Sequence, residues 1–410
     1  MMGNVLVGQS GGPTAVINSS LAGVYQTAKD QGAGKVYGML FGIQGLLEDK
    51  YVDLDEHFHS ELEIELLKRT PSSYLGSCRF KLPDYKADLS IYEKIFVILR
   101  KLNIECFFYI GGNDSMDTIK KLSDYGKIIG SKIRFIGVPK TIDNDLAATD
   151  HTPGYGSAAK FIAATTKEII RDSLVYDQKN VTIIEIMGRN VGWLTGAAAL
   201  AESTECSGPD LIYLPEVDFS TEDFITQVEH LQKSKKALVI AVSEGIHLAD
   251  GRYICELAED VKHTDQFGHA YLSGSGKYLS NLISREIGCK SRGIELNTLQ
   301  RCASHMASLV DITEAYQVGA AAVKAALEGK TGEMVILTRV SKGPYQCATE
   351  TFDIHKIANI EKKVPYEWIK KDSTGVTEEF MDYARPLIQE ELTPIMIGGL
   401  PKHINYNSIR

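Results

Sequence analysis

Short apolar runs alternate along this chain with longer segments in which polar and apolar residues are mixed. The short apolar runs predict buried strands at residues 5–7, 106–110, 133–138, 181–186, 211–214, 237–242 and 334–337. The longer segments predict helices at residues 13–30, 88–102, 155–171, 191–201, 221–233 and 313–328. Because strands that alternate with helices favour parallel sheets with helices on both faces, the sequence predicts an α/β protein.

Length and charge narrow the class of protein. With 410 residues, the chain is long enough for two or three structural units of about 150 residues each. It carries 44 basic and 53 acidic residues, a formal net charge of −9. An acidic excess argues against nucleic acid as a partner, although a phosphate site can still be basic where lysines and arginines converge locally.

The cysteines and the absence of a long apolar run predict a cytoplasmic protein. The seven cysteines are Cys78, Cys106, Cys206, Cys255, Cys289, Cys302 and Cys347. They are odd in number and include no C-x-x-C pair, which favours free thiols in a reducing compartment over a disulfide scaffold or a zinc site. No apolar run approaches the length of about 18 residues that a membrane helix needs, and the first residues do not resemble a signal peptide.

Two polar segments follow predicted strands and suggest the chemistry. Gly111-Gly112-Asn113-Asp114-Ser115 follows one strand, and Pro139-Lys140-Thr141-Ile142-Asp143-Asn144-Asp145 follows the next. Phosphoryl transfer needs close backbone approach to phosphate, a cation, a metal site and a base for the attacking hydroxyl. The glycines, the lysine and the carboxylates of these segments supply such groups, and the carboxyl ends of strands are where open α/β sheets bind ligands.

Each of these segments could also be a solvated loop with a turn, but two of them after successive strands favour a functional site. A third glycine-rich turn precedes the first predicted helix. Its Gly11 and Gly12 amides, together with the start of that helix, are suited to holding a phosphate group.

Seven ordered motifs carry a resemblance to a known family. They are Gly8-Gln9-Ser10-Gly11-Gly12-Pro13, Leu75-Gly76-Ser77-Cys78-Arg79-Phe80, the two polar segments above, Met187-Gly188-Arg189, Ser243-Glu244-Gly245 and Leu299-Gln300-Arg301. In order and approximate spacing, this set resembles the phosphofructokinase family. The resemblance extends from about Asn4 to about residue 360.

Two residues resemble the branch of that family that uses inorganic pyrophosphate. The ATP-using forms tend to carry Gly-Gly-Asp-Gly-Ser and Pro-Gly-Thr-Ile-Asp-Asn-Asp, whereas this chain has Asp114 and Lys140 at the changed positions. A carboxylate at position 114 would obstruct and repel the α-phosphate of a nucleotide. Lys140 adds a fixed positive charge for a small, highly anionic leaving group.

The resemblance also implies roles for individual residues. Asp143 is expected to be the base, with Lys140, Asp114 and Arg189 as further catalytic residues. The pyrophosphate-binding residues are expected to be Gly11, Gly12, Arg79, Gly112, Asp114 and Lys140. The sugar-phosphate-binding residues are expected to be Thr141, Asp143, Met187, Gly188, Arg189, Glu244, Arg292, Thr298 and Arg301.

Magnesium is the implied cofactor, and Asn113 and Asp114 are its expected ligands. Asn113 stands where the family usually has a metal-binding aspartate, so the ion must depend on Asp114, Asp143 or Asp145, or mainly on phosphates and water. Thr298 stands where bacterial ATP-using members have a histidine that touches the sugar phosphate. Asn180 stands where those members have an arginine lent to a neighbouring subunit.

The resemblance predicts two Rossmann-like lobes, each a mostly parallel sheet flanked by helices, with the active site in the cleft between them. A phosphoryl-donor lobe would comprise residues 1–148 and a return segment after about 303, a sugar-phosphate lobe residues 149–302, and a C-terminal extension residues 361–410. The implied assembly is a homodimer or homotetramer.

The predicted reaction is reversible phosphoryl transfer from pyrophosphate to O1 of fructose 6-phosphate. Three alternatives stay open. They are an ATP-dependent enzyme of the same fold, the same chemistry on sedoheptulose 7-phosphate, and a catalytically silent sugar-phosphate-binding subunit. Asp114 and Lys140 disfavour ATP, and retention of Asp143 with Lys140 disfavours a silent subunit.

Overall fold

A computed structural model of the chain describes residues 3–257 and 273–405. Its strands are β1 (Asn4–Gln9), β2 (Val36–Met39), β3 (Tyr51–Asp53), β4 (Ile104–Gly111), β5 (Arg134–Pro139), β6 (Asn180–Ile186), β7 (Leu211–Tyr213), β8 (Ala237–Ser243), β9 (Lys290–Glu295), β10 (Glu333–Lys342), β11 (Tyr345–Asp353), β12 (Met396–Ile397) and β13 (Leu400–Pro401).

The helices are α1 (Ile17–Asp30), α2 (Gly42–Leu47), α3 (Glu61–Arg69), α4 (Leu89–Lys101), α5 (Asn113–Ile128), α6 (Tyr155–Ser173), α7 (Trp193–Gly196), α8 (Thr221–Leu231), α9 (Ser275–Glu286), α10 (Leu299–Cys302), α11 (Leu309–Leu327) and α12 (Glu378–Ala384). Within the two described ranges, no helix combines the length and the apolar character needed to span a membrane.

The chain divides into two compact units. The first unit is formed by Met1–Ser157, Arg301–Glu361 and Gln389–Arg410. The second unit is formed by Ala158–Gln300 and Lys362–Ile388. The segment after residue 361 is therefore shared between the units.

The sheet of the first unit has the order β11-β10-β5-β4-β1-β2-β3 among the described residues. Its interior pairs are parallel, and only the edge pairs β2–β3 and β10–β11 are antiparallel. Successive side chains of a strand point to opposite faces. Accordingly Val5 and Val7 join one buried apolar cluster and Leu6 joins another, so both faces of the sheet are covered.

Helices α1 and α11 pack closely in the first unit because each contributes a glycine to the contact. A Cβ added to Gly23 of α1 would lie 2.1 Å from the carbonyl oxygen of Tyr316, and one added to Gly319 of α11 would lie 2.2 Å from that of Ser20. Larger side chains would push the helices apart. This contact holds α11 against the unit that carries the loops described below.

The sheet of the second unit has the order β7-β8-β6-β9 in the part of the chain that the structure describes, and all its pairs are parallel. Alternate residues of β6 and β8, including Val181, Ile183 and Ile240, join one buried apolar cluster. Together, the two units confirm the predicted α/β class with mostly parallel sheets flanked by helices.

All seven predicted strands coincide with observed strands, but several helix boundaries differ. Helix α1 begins at Ile17 instead of position 13, because the backbone before it forms a loop whose Gly12 carbonyl oxygen binds a lysine. Helix α11 begins at Leu309, where the Ser308 hydroxyl accepts a hydrogen bond from the Asp311 amide. The predicted helix 191–201 is one α-helical turn, α7, followed by a 3₁₀ segment, Ala197–Ala201.

Candidate active site

In the first unit, the loop after β1 wraps around the ammonium group of Lys140. Lys140 Nζ donates hydrogen bonds to the carbonyl oxygens of Ser10, at 2.9 Å, and of Gly12, at 2.5 Å. Gly11 has a φ of 73°, a conformation that favours glycine, and its amide donates to the carbonyl oxygen of Cys78 at 3.1 Å. The glycines thus let the backbone curl around a buried cation.

The turn from β4 into α5 lies beside this loop. The amide of Lys140 donates to the Gly111 carbonyl oxygen at 3.0 Å, and the hydroxyls of Ser10 and Ser115 are hydrogen bonded to each other. A Cβ on Gly111 would lie 1.9 Å from Ser115 Oγ, so this position is closely packed. The backbone at Gly112 is more open, because the atoms nearest to a Cβ added there are 3.8 Å away.

The open Gly112 backbone leads directly into a helix N-terminus. Asn113 and Asp114 are the first two residues of α5, a helix that the sequence pattern does not predict. The unpaired amides and the dipole at a helix start attract anions. Asp114 is exposed in this first turn, so a carboxylate lies where an anionic ligand would approach.

The loop after β5 carries the candidate base. Thr141 Oγ1 donates to Asp143 Oδ2 at 3.3 Å and accepts from the Asp143 amide at 3.1 Å, which orients the carboxylate. Asn144 is fully buried with a φ of 57°, and its Oδ1 accepts from the Thr152 amide at 3.1 Å. The loop therefore has a fixed shape, set by its own side chains and by the segment that follows it.

Burial shifts the protonation of all three charged residues of this loop. It lowers the pKa of Lys140 to about 8, against the opposing effect of the Asp143 charge. Burial raises the pKa of Asp143, although the Thr141 hydrogen bond and Lys140 oppose the shift. The pKa of Asp145 is raised to about 7 by burial and then by the charge of Asp143. A carboxylate with a raised pKa accepts a proton more readily, as a general base requires.

Two arginines bring further positive charge to the same loops of the first unit. The charge of Arg301 acts on both Lys140 and Asp143, and its Nη1 would lie 3.4 Å from a Cβ added to Gly12. The charge of Arg79 acts on Lys140. Three cations thus converge in an acidic protein, as a phosphate-binding site requires.

Asn113 and Asp145 offer two oxygen atoms to a metal ion. Asn113 Nδ2 donates to Asp145 Oδ2 at 3.0 Å, while Oδ1 of each residue is buried and has no hydrogen-bond partner among the described residues. Residues 3–257 and 273–405 contain no group of three or more His, Cys, Asp or Glu side chains that could hold a metal. The two oxygens therefore fit Mg²⁺ that takes its other ligands from phosphate and water.

A second group of predicted residues meets in the second unit, at the carboxyl ends of β6 and β8. The Gly188 amide donates to Glu244 Oε1 at 3.3 Å, and the Met187 amide donates to Gln300 Oε1 at 3.4 Å. A Cβ on Gly245 would lie 1.9 Å from the Arg189 carbonyl oxygen, so the two turns are in backbone contact. This group offers backbone amides, a carboxylate and a guanidinium.

Arg292 and Thr298 occupy other positions in the second unit. Arg292 is exposed on the edge strand β9 and pairs with Thr182, four residues before β6 ends. At about 3.3 Å per residue, its backbone lies roughly 13 Å from the end of β6, after which the Met187 turn begins. The structure therefore does not bring Arg292 to that turn. Thr298 is exposed immediately before α10.

Sequence reasoning missed two residues that shape these sites. Glu361 forms an isolated antiparallel bridge with Leu146 and raises the pKa values of Asp143 and Asp145. It is far away in the chain, and no local pattern marks it. Gln300 accepts the Met187 amide, and its position beside Arg301 in the Leu299-Gln300-Arg301 motif is the signal that could have identified it.

A cationic loop, an oriented carboxylate and open amides at a helix start define an α/β protein built to handle phosphate groups. Comparison with known proteins specifies this class. The phosphofructokinase family model matches residues 4–326. The chain therefore belongs to the phosphofructokinase family, as its motifs predicted.

Individual relatives agree with this placement. The chain is 40% identical over 403 residues to pyrophosphate–fructose 6-phosphate 1-phosphotransferase of Halomonas elongata, covering 97% of this chain and 95% of the relative. It is 39% identical over 411 residues to the enzyme of that name from Xanthomonas campestris, covering 99% and 97%. A crystal structure of a pyrophosphate-dependent phosphofructokinase from Marinobacter aquaeolei superposes with a TM-score of 0.87 at 36% identity, covering 98% of this chain and 96% of that one.

Proposed function

We propose that this protein transfers a phosphoryl group from inorganic pyrophosphate to O1 of fructose 6-phosphate, giving fructose 1,6-bisphosphate and phosphate in a reversible reaction. The observation that carries the proposal is the loop after β5, where buried Lys140 and the oriented carboxylate of Asp143 lie beside the phosphate-binding turns. The relatives named for this reaction cover almost the whole chain.

The donor is held by the turns of the first unit. Backbone amides of Gly12 and Gly112 approach the phosphate oxygens, while Gly11, whose amide is bonded to Cys78, shapes the turn, and Arg79 contributes charge. Lys140 is held by two carbonyl oxygens, so its charge is fixed in place before the donor binds. A cation fixed in advance stabilises the charge that develops on a leaving phosphate without reorganisation during the reaction.

Asp143 takes the proton from the 1-hydroxyl of the sugar as O1 attacks phosphorus. The bond from phosphorus to the bridging oxygen breaks, and phosphate leaves with the electron pair. The Thr141 hydrogen bond keeps the Asp143 carboxylate in one orientation, which favours transfer from a single geometry. Arg189 is the second cation proposed for the developing charge.

Glu244 and the Met187-Gly188 turn are proposed to bind the sugar, with Thr141, Thr298 and Arg301 as the further contacts. Glu244 accepts hydrogen bonds from hydroxyl groups, and the Met187 turn supplies backbone amides. Arg301 donates two parallel N–H hydrogen bonds to the phosphate oxygens of the sugar. The exposed side chain of Thr298 is available to a ligand, whereas Arg292 lies too far along β9 to join the Met187 turn.

Magnesium is the proposed cofactor. Asn113 Oδ1 and Asp145 Oδ1 would hold it, with Asp114 as the third candidate ligand, because the first two oxygens are buried without partners in the described structure. When bound, Mg²⁺ neutralises charge on the donor oxygens. The cytoplasmic location and the homodimeric or homotetrameric assembly remain predictions from the sequence.

A coupled assay of purified protein with fructose 6-phosphate and Mg²⁺ tests this function. We expect product with pyrophosphate and negligible product with ATP. Sedoheptulose 7-phosphate in place of the hexose tests the longer sugar. Turnover only with ATP would contradict the proposal and identify an ATP-dependent enzyme of the same fold. Binding of the sugar phosphate without turnover would replace the proposal by the silent subunit.

Arg301→Ala should weaken binding of the sugar phosphate. Loss of a charge-assisted contact is expected to raise the KM for fructose 6-phosphate by roughly 2–3 kcal/mol, or about 30- to 160-fold. Steady-state kinetics with each substrate varied in turn measure this. Arg285→Ala is the control, because Arg285 is exposed and pairs only locally with Glu286 in the described contacts. A raised KM for pyrophosphate alone would assign Arg301 to the donor.

A further inference from the structure

His151 lies buried between two carboxylates in the first unit. Its Nδ1 is 2.8 Å from Asp150 Oδ1 and its Nε2 is 2.6 Å from Glu314 Oε2, and its side chain is 1% exposed. Because both ring nitrogens face carboxylate oxygens, both act as donors, which makes the ring an imidazolium. Burial opposes this charge, but Glu314 and Asp150 raise the pKa of His151 to about 9.

The outer groups complete a chain of charges. Arg339 Nη2 pairs with Asp150 Oδ1 at 3.0 Å, and the Tyr345 hydroxyl donates to Glu314 Oε1 at 2.6 Å. His151, Asp150, Glu314 and Arg339 together carry two positive and two negative charges. Removing the His151 charge would leave the carboxylate of Glu314 buried without a cation. An uncompensated buried charge is strongly unfavourable.

Helix α11 anchors the segment that contains His151 at two points. Glu314 binds His151, while both carboxylate oxygens of Asp311 accept hydrogen bonds from backbone amides, Gly154 at 2.8 Å and Ser157 at 2.8 Å. Residues three apart lie on the same face of a helix, so Asp311 and Glu314 act on one strip of chain. Residues 151–157 are thereby fixed to α11.

The same segment holds the loop that carries Asp143. The Thr141 amide donates to the Pro153 carbonyl oxygen at 3.2 Å, and Thr152 Oγ1 donates to the Thr141 carbonyl oxygen at 2.8 Å. The Thr152 amide also donates to Asn144 Oδ1 at 3.1 Å. These bonds bracket Asp143 on both sides, and each comes from a residue one or two positions after His151.

We propose that His151 is a positioning residue for phosphoryl transfer. Held between Asp150 and Glu314, it keeps residues 152–153 against the loop of Asp143. This contact fixes the position of the base relative to Lys140. This role rests on the proposed function. His151 itself touches no reacting group. Its loss acts through Thr152 and Pro153, so the loop of Asp143 loosens while the Gly12, Gly112 and Met187 turns stay in place.

His151→Gln tests the role, with His355→Gln as the matched control. His355 also bridges two carboxylates, Asp353 at 2.8 Å and Asp124 at 3.0 Å, but it is 38% exposed, and no described contact joins it to the Asp143 loop. We expect the His151 variant to lower kcat at least tenfold with both KM values within about twofold. The His355 variant should keep the wild-type kcat.

Hydrogen exchange without substrate provides a readout that does not depend on the reaction. Peptides that cover residues 140–146 should exchange at least tenfold faster in His151→Gln and at the wild-type rate in His355→Gln. Unchanged exchange and unchanged kcat in the folded His151 variant would overturn the inference. Wild-type protein without pyrophosphate activity would overturn the proposed function instead, and the exchange experiment would still decide the role of His151.

Stability as a function of pH provides a second independent readout. The folded pKa of His151 is raised, so its stabilising charge is fully present below about 6.5 and is lost as pH rises through about 9. The difference in unfolding midpoint between wild type and His151→Gln should therefore shrink over this range. A constant difference would show that the charge of His151 does not clamp the segment.

If His151→Gln does not fold, Tyr345→Phe decides the question. It removes only the hydroxyl that donates to Glu314, and His151 stays in place. We expect a lower kcat and faster exchange over residues 140–146, in the same direction as for His151→Gln but smaller. Wild-type values of both in Tyr345→Phe would overturn the inference.

Discussion

Asp143→Asn is expected to lower kcat by about 10²–10⁴-fold while leaving the binding of fructose 6-phosphate nearly intact. The amide keeps the size of the carboxylate and can still accept a hydrogen bond from Thr141, so the loop should keep its shape. It has no basicity with which to take the proton of the 1-hydroxyl. Steady-state kinetics in the direction of fructose 1,6-bisphosphate measure kcat and both KM values.

Asp177→Asn is the matched control for the base. It makes the same change at a side chain that is 90% exposed and paired only with Lys236 in the described structure, and kcat should stay at the wild-type value. An Asp143→Asn enzyme that keeps more than a tenth of the wild-type kcat would refute the assignment.

The pH profile gives the same prediction a second signature. Turnover requires Asp143 deprotonated and Lys140 protonated. Burial raises the pKa of Asp143 and lowers that of Lys140 to about 8. The pH range in which the enzyme is active is therefore narrowed at both its acidic and its alkaline end. In Asp143→Asn the acidic fall in residual kcat should disappear, and the alkaline fall should move to lower pH, because the Asp143 charge no longer supports protonation of Lys140. An acidic fall that persists would indicate a different titrating group.

The apolar strands could be predicted from the sequence because they are continuous runs buried on both faces. Strands β9 and β11 could not. The residues of β9 are all exposed or partly exposed, and Lys290, Arg292 and Glu295 interrupt any apolar run. The parallel partner β6 supplies the hydrogen bonds that make this polar segment a strand. That contribution is tertiary, so a local pattern does not contain it.

The candidate site divides in the same way. Lys140 and Asp143 could be identified because their residue types follow a strand within a few positions of each other. Their surroundings could not be identified, because they come from distant parts of the chain. The carbonyl oxygens that hold Lys140 belong to Ser10 and Gly12, and the carboxylate that binds His151 belongs to Glu314. No local sequence pattern predicts either of these contacts.

Wild-type turnover with ATP should be negligible beside pyrophosphate, and Asp114→Gly combined with Lys140→Gly should shift this preference towards ATP. Asp114 is exposed in the first turn of α5, so its carboxylate meets an approaching nucleotide with like charge and with bulk. Glycine removes both obstacles. We expect the ratio of kcat/KM for pyrophosphate to that for ATP to fall by about 10²-fold or more.

The two single variants separate entry of the donor from catalysis. Asp114→Gly alone should let ATP enter and, because Asp114 is also a candidate metal ligand, should lower pyrophosphate turnover, but less than Lys140→Gly does. Lys140→Gly alone should lower turnover with pyrophosphate, because it removes the fixed charge and also the ammonium bonded to the Ser10 and Gly12 carbonyl oxygens. Asp124→Gly makes the same aspartate-to-glycine change at a partly exposed position of α5, which controls for the destabilising effect of glycine in a helix.

The decisive quantity is the ratio of kcat/KM for pyrophosphate to kcat/KM for ATP. A general loss of stability or of loop order lowers both values together, so it leaves the ratio unchanged. A carboxylate that selects the donor changes this ratio through ATP, whereas the lysine changes it through pyrophosphate, so the effects of the two substitutions on the ratio should combine in the double variant. If wild type already prefers ATP, or if the double variant keeps the wild-type ratio, Asp114 does not select the donor. The assignment of pyrophosphate as the donor would then have to be abandoned, whereas the phosphofructokinase fold and the role of Asp143 as base would stand independently of it.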